Sequence, residues 1–237
     1  MTYLTEILAA HRRRAASDDR SLDRLIDRAG DCQPTRGFTR SLANTAGVAV
    51  ISEIKRRSPS KGALNVELDP ARWARWYAEG GASCLSVLTD DGFFGGSAED
   101  LALARGACDL PVIRKDFTVA ANDVVDARIM GADAVLLIAA ALDDRELADF
   151  HRLAVELSLD ALVETHDEAE VERALAIGAT LIGVNQRDLV TFEVDTARAV
   201  RVGALIPEGV VSVAESGIAG PDDIPPLAAA GFDAVLV

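Results

Sequence analysis

The chain is poor in cysteine, with three in 237 residues. Cys32, Cys84 and Cys108 stand far apart and form no C-x-x-C pair, a spacing that supports neither a disulfide framework nor a zinc site. Cys84, within the apolar run "ASCLSVLT", is predicted to be a small core residue.

Long apolar segments are also missing. The N-terminal sequence "MTYLTEILAAHRRRAAS" lacks the apolar stretch of about 7–15 residues of a signal peptide, and no run approaches the ~18 residues of a membrane span. The formal net charge of −14 argues against nucleic-acid and anionic-membrane binding, because the field of the protein would repel both. We therefore predict a cytoplasmic protein with neither partner, in which an anionic substrate needs a local positive site.

Common catalytic signatures are absent as well. The sequence contains no H-E-x-x-H, G-x-S-x-G or P-loop motif, and no G-x-G-x-x-G follows a predicted strand. The three histidines, His11, His151 and His166, are scattered over predicted helices without metal-ligand spacing. We predict surface positions for them and no metal site.

What the chain does contain, after residue 47, is one repeated unit: a short apolar run, a turn, an amphipathic helical stretch and a glycine. The runs are "VAVISEI", "CLSVLT", "PVIRK", "DAVLLIA", "DALVE", "TLIGVN", "VVSVAE" and "DAVLV", ending near residues 53, 88, 115, 138, 164, 185, 215 and 237. Continuous apolar strands that alternate with helices indicate a parallel sheet covered on both faces. Eight units in about 190 residues predict an α/β protein with a closed (β/α)₈ TIM barrel at 48–237, preceded by a helical extension at 1–47.

The helical stretches carry start signals. "SAEDLALARGA" and "THDEAEVERALAIG" each open as an S/T-x-x-D/E capping box. "DDIPPLAAAG" places Pro225 and Pro226 where a helix should already be running, so that helix is predicted to start late or to be short.

Polar side chains cluster at the predicted strand ends, and in such barrels the catalytic residues lie at the carboxyl ends of the strands. These side chains are Glu53, Lys55, Lys115, Glu164, Asn185, Arg187, Glu215 and Ser216. Residues two apart on a strand, such as Glu53 and Lys55, point to the same side. A single acid–base pair at a strand end is as often structural as catalytic, so the functional interpretation depends on the number of such ends.

Lysine is rare: 24 residues are Lys or Arg, and the lysines are Lys55, Lys61 and Lys115. Lys can give or take a proton when partly buried, whereas Arg stays charged. Two of the three lysines lie at strand ends, which favours a proton-transfer role there. Ser216 and Gly217 follow the seventh strand, where a Gly-containing turn exposes backbone N–H groups and predicts a phosphate site.

Six segments, in order and spacing, resemble the indole-3-glycerol phosphate synthase family over essentially the whole chain: "SEIKRRSPSKG", "FFGGS", "VIRKDF", "ALVETHD", "IGVNQRDL" and "VAESGI". The resemblance implies closure of the indole ring of 1-(2-carboxyphenylamino)-1-deoxyribulose 5-phosphate, with loss of CO₂ and water and without a metal or organic cofactor. It also implies a cytoplasmic enzyme of tryptophan biosynthesis, a phosphorylated small-molecule substrate as partner, and a monomer or weak homodimer.

The resemblance further implies roles for individual residues. Lys115 matches the general acid, and Lys55 matches a lysine that contacts the anionic groups of the substrate and takes part in dehydration. Glu53, Glu164 and Glu215 match acidic residues that stabilise a cationic intermediate and handle protons, while Asn185 and Arg187 match groups that orient these charges and the substrate carboxylate. The remaining matches are to the phosphate site, Ser216 and Gly217, and to the loop and apolar wall around the anthranilate ring, Ser58, Pro59, Phe94 and Phe117. The "RRSPSKG" loop is expected to be a mobile flap.

One departure and two alternatives accompany this interpretation. The family's chain continues past the eighth strand with a Gly-containing loop and a final helix, whereas this sequence stops at "DAVLV", so we expect a barrel without its last helix. One alternative is a Schiff-base enzyme in which Lys115 attacks a sugar-phosphate ketone. The other is a truncated barrel that binds a phosphorylated ligand without turnover.

Overall fold

Eight parallel strands close into a barrel in the computed structural model, which describes residues 3–59, 61–188 and 190–237. The barrel strands are β1 (Ala49–Ile54), β4 (Cys84–Leu88), β5 (Val112–Lys115), β6 (Ala134–Ile138), β7 (Asp160–Thr165), β8 (Leu181–Asn185), β9 (Val211–Glu215) and β10 (Ala234–Leu236). The ring closes where Val50 of β1 lies opposite Val235 of β10. The predicted (β/α)₈ fold is confirmed. A two-stranded antiparallel hairpin, β2 (Arg57–Ser58) and β3 (Gly62–Ala63), follows β1.

In the described part of the chain, seven helices connect consecutive barrel strands and cover the outside of the sheet. They are α4 (Pro70–Glu79), α6 (Ala98–Ala107), α7 (Ala121–Ile129), α8 (Asp144–Glu156), α9 (Glu168–Ala176), α10 (Arg198–Gly203) and α11 (Ile224–Ala229). A short additional helix, α5 (Asp91–Phe94), lies between β4 and α6. Helix α11 has only six residues and begins beside Pro225, as the two prolines predicted. No helix among the described residues is both long and apolar enough to cross a membrane.

The N-terminal extension contributes three helices, which are α1 (Tyr3–Ala16), α2 (Leu22–Gly30) and α3 (Phe38–Ala43). Helix α3 closes the amino end of the barrel: Phe38 and Leu42 are fully buried against interior residues such as Ile51, Ile113 and Leu162. Cys84 lies in the same cluster and is fully buried, as predicted. The division of the chain at residue 47 stays a prediction.

Aspartates at the start of two strands hold neighbouring segments against the amino end of the barrel. Asp133 accepts hydrogen bonds from the backbone N–H of Arg36 at 2.7 Å and of Val112 at 2.8 Å. Asp160 accepts from the N–H of Thr39 at 2.9 Å. Because Arg36 and Thr39 lie on either side of the first residue of α3, these carboxylates hold α3 at the amino end of the barrel. The opposite end stays open for a site.

One of the two predicted capping boxes is wrong. Helix α9 begins at Glu168, and its N-cap is Asp167, whose carboxylate accepts the N–H of Glu170 at 2.9 Å. Thr165 is instead the last residue of β7, and its hydroxyl donates to the carbonyl of Gly183 at 2.8 Å. The strand takes Thr165 because its buried hydroxyl finds a backbone partner across the sheet.

Of the other predicted capping box the Ser97 half is confirmed: its hydroxyl accepts the N–H of Asp100 at 3.0 Å, while the Asp100 carboxylate pairs with Arg56. A Ser97→Ala variant is expected to lose about 1 kcal/mol of unfolding free energy, because one N–H of the first turn loses its partner. Turnover at saturating substrate should not change, since Ser97 does not line the cavity described below. Urea unfolding of Ser97→Ala beside Ser97→Thr, which keeps the hydroxyl, checks this; equal losses in both variants would contradict it.

Candidate active site

A cavity of about 700 Å³ opens at the carboxyl ends of the barrel strands. All thirteen residues that the sequence nominated line it, namely Glu53, Lys55, Ser58, Pro59, Phe94, Lys115, Phe117, Glu164, Asn185, Arg187, Glu215, Ser216 and Gly217. The parallel topology explains this, because every strand of the barrel delivers its carboxyl end to the same rim. The cavity also includes residues that sequence reasoning missed, among them Asp116, Phe192 and Val194.

Lys115 occupies the centre of the charged part of the cavity. Its Nζ lies 3.0 Å from Glu164 Oε2 and 3.6 Å from Glu215 Oε2. Burial alone lowers the pKa of Lys115, but the negative charge of Glu164, with that of Glu215 when it is ionised and that of Glu53, outweighs burial and raises it. The ε-amine is therefore held as an ammonium with a proton to give.

The two buried glutamates beside Lys115 are in different protonation states. Burial raises the pKa of both, but Lys115, His166 and a 3.1 Å hydrogen bond from Asn185 Nδ2 offset this at Glu164 and leave its pKa well below the ordinary value. At Glu215 burial and the neighbouring Glu164 charge prevail, and the pKa rises to about 8. At neutral pH the site holds one carboxylate and one carboxylic acid side by side, an arrangement suited to proton transfer.

Glu53 and Lys55 form a second charged pair, as their spacing predicted. Lys55 Nζ donates to Glu53 Oε1, and the Ser86 hydroxyl donates to Glu53 Oε2 at 3.2 Å. The Tyr77 hydroxyl donates to the Glu53 carbonyl at 3.1 Å, which fixes the backbone at the end of β1. The strand therefore presents an acid and a base together at the rim.

An aromatic wall borders these charges. The rings of Phe94 and Phe117 are 6.1 Å apart, and Phe117 lies 5.3 Å from the imidazole of His11. On the opposite rim, Phe192 contacts Tyr3 of α1 edge-on, with ring centroids 5.8 Å apart. Apolar rings next to buried charges suit a substrate that carries both an aromatic ring and ionised groups.

Helix α1 crosses this end of the barrel and inserts His11 beneath the rim. His11 is 3% exposed, so its predicted surface position is wrong. Its Nε2 lies 2.9 Å from Asp90 Oδ2 and 3.9 Å from Asp116 Oδ1, while Arg14 donates to its Nδ1 at 2.9 Å. Because Arg14 donates a hydrogen bond to Nδ1, Nδ1 is an acceptor without a proton. The proton that Asp90 accepts is therefore on Nε2.

These contacts link the N-terminal helix to two rim loops. Asp90 caps α5 by accepting the N–H groups of Phe93 and Phe94, and Asp116 accepts from the Thr89 hydroxyl and from Arg114. His11, Asp90 and Asp116 offer ligand atoms within 4.8 Å of one another. A cation there would meet the guanidinium groups of Arg14 and Arg114, so the cluster is better explained as a hydrogen-bonded anchor.

The turn after β9 has a left-handed backbone conformation and leaves no room for a side chain at residue 217. Ser216 and Gly217 both have positive φ, 65° and 75°. A β-carbon at residue 217 would lie 2.5 Å from Val194 Cγ1, so only glycine fits. Gln186 Nε2 donates to the Ser216 carbonyl at 2.8 Å and thereby ties this turn to the segment after β8.

The segments after β1 and β8 complete the rim. Arg56 donates to both carboxylate oxygens of Asp100, at 3.0 and 2.8 Å, and anchors the start of the predicted flap. Arg187 N–H bonds the Asn185 side chain at 3.0 Å, and its guanidinium bonds the Phe192 carbonyl at 3.0 Å. Ser60 of "RRSPSKG" and Leu189 of "NQRDL" lie outside the described residues. Closure of the flap stays a prediction.

Fold and site together define the class of protein: a (β/α)₈-barrel enzyme whose cavity at the carboxyl ends of the strands holds a lysine ammonium, an ionised and a protonated glutamate, and an aromatic wall. The sequence profile of the indole-3-glycerol phosphate synthase family matches residues 4–237. The chain belongs to this family, and it is therefore a carboxy-lyase of tryptophan biosynthesis.

Similar proteins agree with this assignment. The indole-3-glycerol phosphate synthase of Nocardioides sp. (strain ATCC BAA-499 / JS614) is 55% identical over 81% of this chain and 74% of that protein. The enzyme of the same name from Chlorobium chlorochromatii is 44% identical over all of this chain and 94% of that protein. Among solved structures, the N-acetylmannosamine-6-phosphate 2-epimerase from Clostridium perfringens superposes with a TM-score of 0.64 at 13% identity, covering 83% of this chain and 88% of that one, which shows the fold alone.

Proposed function

We propose that the cavity binds 1-(2-carboxyphenylamino)-1-deoxyribulose 5-phosphate and that Lys115 is the general acid of ring closure. The observation that carries this proposal is the position of Lys115 Nζ between Glu164 and Glu215 in a cavity lined by all thirteen nominated residues. The ammonium donates its proton to the ketone oxygen as the aromatic carbon attacks, which neutralises the charge that would develop there.

The glutamates stabilise the cationic intermediate that ring closure creates and transfer protons around it. Glu164, ionised and buried, stabilises positive charge on the ring nitrogen after attack, and Glu53 adds negative charge from the next part of the rim. Loss of CO₂ then restores the aromatic electrons, and Lys55 assists departure of hydroxide in the final dehydration. Glu215, whose pKa of about 8 lies near neutrality, moves protons between these steps.

Substrate recognition divides between charge and apolar surface. Arg187 and Lys55 face the substrate's anionic groups, and Asn185 holds the backbone N–H of Arg187 in place. The turn at Ser216 and Gly217 receives the phosphate through backbone N–H groups. Phe94 and Phe117, with Ser58 and Pro59 of the flap, enclose the anthranilate ring. Arg187 and Lys55 supply the local positive site that a protein of net charge −14 needs in order to bind an anionic substrate.

The Schiff-base alternative conflicts with the charge state of Lys115. An amine must be neutral to attack a ketone, whereas the raised pKa keeps Lys115 protonated. The relative from Chlorobium chlorochromatii, which is named indole-3-glycerol phosphate synthase, matches this chain over its whole length. This match does not favour the alternative in which the barrel binds a ligand without turnover. A phosphorylated substrate fits the family. The negative charge supports the further proposal that the protein has no nucleic-acid or membrane partner. A cytoplasmic monomer or weak homodimer stays a prediction.

The proposal is tested by mixing the 237-residue chain with the carboxyphenylamino-deoxyribulose phosphate and following indole fluorescence together with released CO₂. Growth of both signals in equal amounts is the expected result. Borohydride added during turnover should trap no substrate on the protein. Binding by calorimetry without product would overturn the proposed activity and establish the binding-only alternative.

A further inference from the structure

His166 is a largely buried histidine that has no role in the proposed mechanism. It follows β7 two residues after Glu164, and its side chain is 13% exposed, so its predicted surface position is wrong. Its backbone N–H donates to Glu170 Oε2 at 2.7 Å, and its Nδ1 lies 3.1 Å from the same oxygen. Its Nε2 points the other way, 3.6 Å from Glu164 Oε1, and is buried without a hydrogen-bond partner among the residues that the structure describes.

This geometry selects the charged form of the ring. If His166 were neutral with its proton on Nδ1 for Glu170, the lone pair of Nε2 would face the carboxylate of Glu164, an unfavourable contact in a buried site. A proton on both nitrogens gives each glutamate an N–H. The opposite tautomer would leave the lone pair of Nδ1 against Glu170, so no neutral form satisfies both neighbours.

The charged groups around His166 come from three elements. Glu164 lies on β7, Glu170 on α9 and Arg198 on α10. Burial alone lowers the pKa of His166, and Arg198 acts in the same direction, but Glu170 and Glu164 outweigh both and raise it above the ordinary value. Glu164 therefore has cations on two sides, Lys115 at Oε2 and His166 at Oε1.

We propose that His166 is a positioning residue of the synthase reaction, acting through Glu164 as a second cation that the reaction does not consume. This inference rests on the proposed role of Lys115 as the acid. When two cations lie against one carboxylate, each is repelled by the other and is stabilised less. His166 therefore makes the Lys115 ammonium easier to deprotonate. After Lys115 has given up its proton, His166 still keeps Glu164 ionised opposite the cationic intermediate.

The experiment compares His166→Gln, which can place a neutral N–H near Glu164, with the wild type and with His151→Gln as matched control. His151 is a half-buried histidine on α8, outside the cavity. We expect His166→Gln to lower kcat several-fold with KM within about twofold, because the loss of the second cation makes Lys115 a weaker acid and the rate of proton donation follows the acidity of the donor. His151→Gln should match the wild type.

Proton NMR of the histidine Cε1 positions supplies a readout that a purely structural role would not move. With three histidines in the chain, the three single variants assign the signals. We expect His166 to titrate above its ordinary range and Glu164→Gln to move that midpoint downward, while leaving His151 unchanged. Unchanged kcat in a folded His166→Gln, or a His166 midpoint unaffected by Glu164→Gln, would overturn the inference alone; a wild type without turnover would overturn the proposed function and this inference with it.

Discussion

A Lys115→Met variant is expected to fold and to bind substrate while its kcat falls by about 10² to 10⁴, the contribution typical of a positioned general acid. Methionine matches the length of the lysine stem but has no proton to donate to the ketone oxygen. The barrel should persist because the charge left on Glu164 still faces His166 and Asn185. Indole fluorescence measures the loss, and calorimetry measures the retained binding.

Lys115→Arg separates charge from proton donation at the same position. Arginine keeps the positive charge beside Glu164 and Glu215 but remains protonated at any accessible pH. It should therefore preserve folding and still lose turnover to a similar extent. Arg145→Met removes a cation whose side chain is 92% exposed and should have no effect. Turnover near the wild-type rate in Lys115→Arg would show that a fixed charge suffices and that Lys115 is not the acid.

The residues that line the cavity could be predicted from sequence because the barrel translates chain position directly into spatial position. A buried apolar run identifies a strand, and a parallel closed sheet brings every strand end to one rim. Glu53, Lys115, Glu164 and Glu215 were therefore predictable as neighbours although up to 162 residues separate them (215 − 53).

The histidines were not predictable by the same reasoning. His11 reaches the rim because α1 packs across it. This long-range packing cannot be predicted from the local periodicity of the sequence. His166 follows a strand, but its burial depends on Glu170, a helix residue that folds back over it. The S/T-x-x-E pattern at Thr165 was misleading because a strand partner, Gly183, competes for the same hydroxyl. Long-range contacts decided each of these cases.

The protonation of the glutamate pair also lay beyond the sequence. Glu164 and Glu215 both lie at the carboxyl ends of strands and are both 2% exposed, so composition and position make them equivalent. What distinguishes them is three contacts of Glu164: Lys115 at 3.0 Å, Asn185 at 3.1 Å and His166 at 3.6 Å. These contacts place the negative charge on Glu164 and leave Glu215 with the proton.

Replacing Glu215 by glutamine should separate stability from turnover. Because Glu215 holds its proton at neutral pH, glutamine is nearly isosteric with the form present. The variant should have a higher unfolding free energy than the wild type at pH 7, because the wild type must take up a proton on folding and the amide need not. The amide cannot exchange a proton, so kcat should fall by about 10² or more. Glu164→Gln is the contrasting variant: it removes a buried ionised partner of Lys115, a change that typically costs about 3–5 kcal/mol.

The pH dependence of stability gives a second, independent test of the Glu215 proton. A carboxyl whose pKa is 4.5 in the unfolded chain and about 8 in the folded one takes up a proton on folding. Its contribution to stability is complete below pH 4.5 and is lost as the pH rises towards about 8, because the unfolded chain then releases the proton more readily. Urea unfolding at several pH values between about 5 and 8 should show this decline in the wild type and a flatter dependence in Glu215→Gln. His166 contributes a decline of the same sign, which the Glu215 variant retains and His166→Gln removes. Parallel curves for wild type and Glu215→Gln would mean that Glu215 is already ionised in the folded enzyme, and the proton shuttle would have to be assigned to another group.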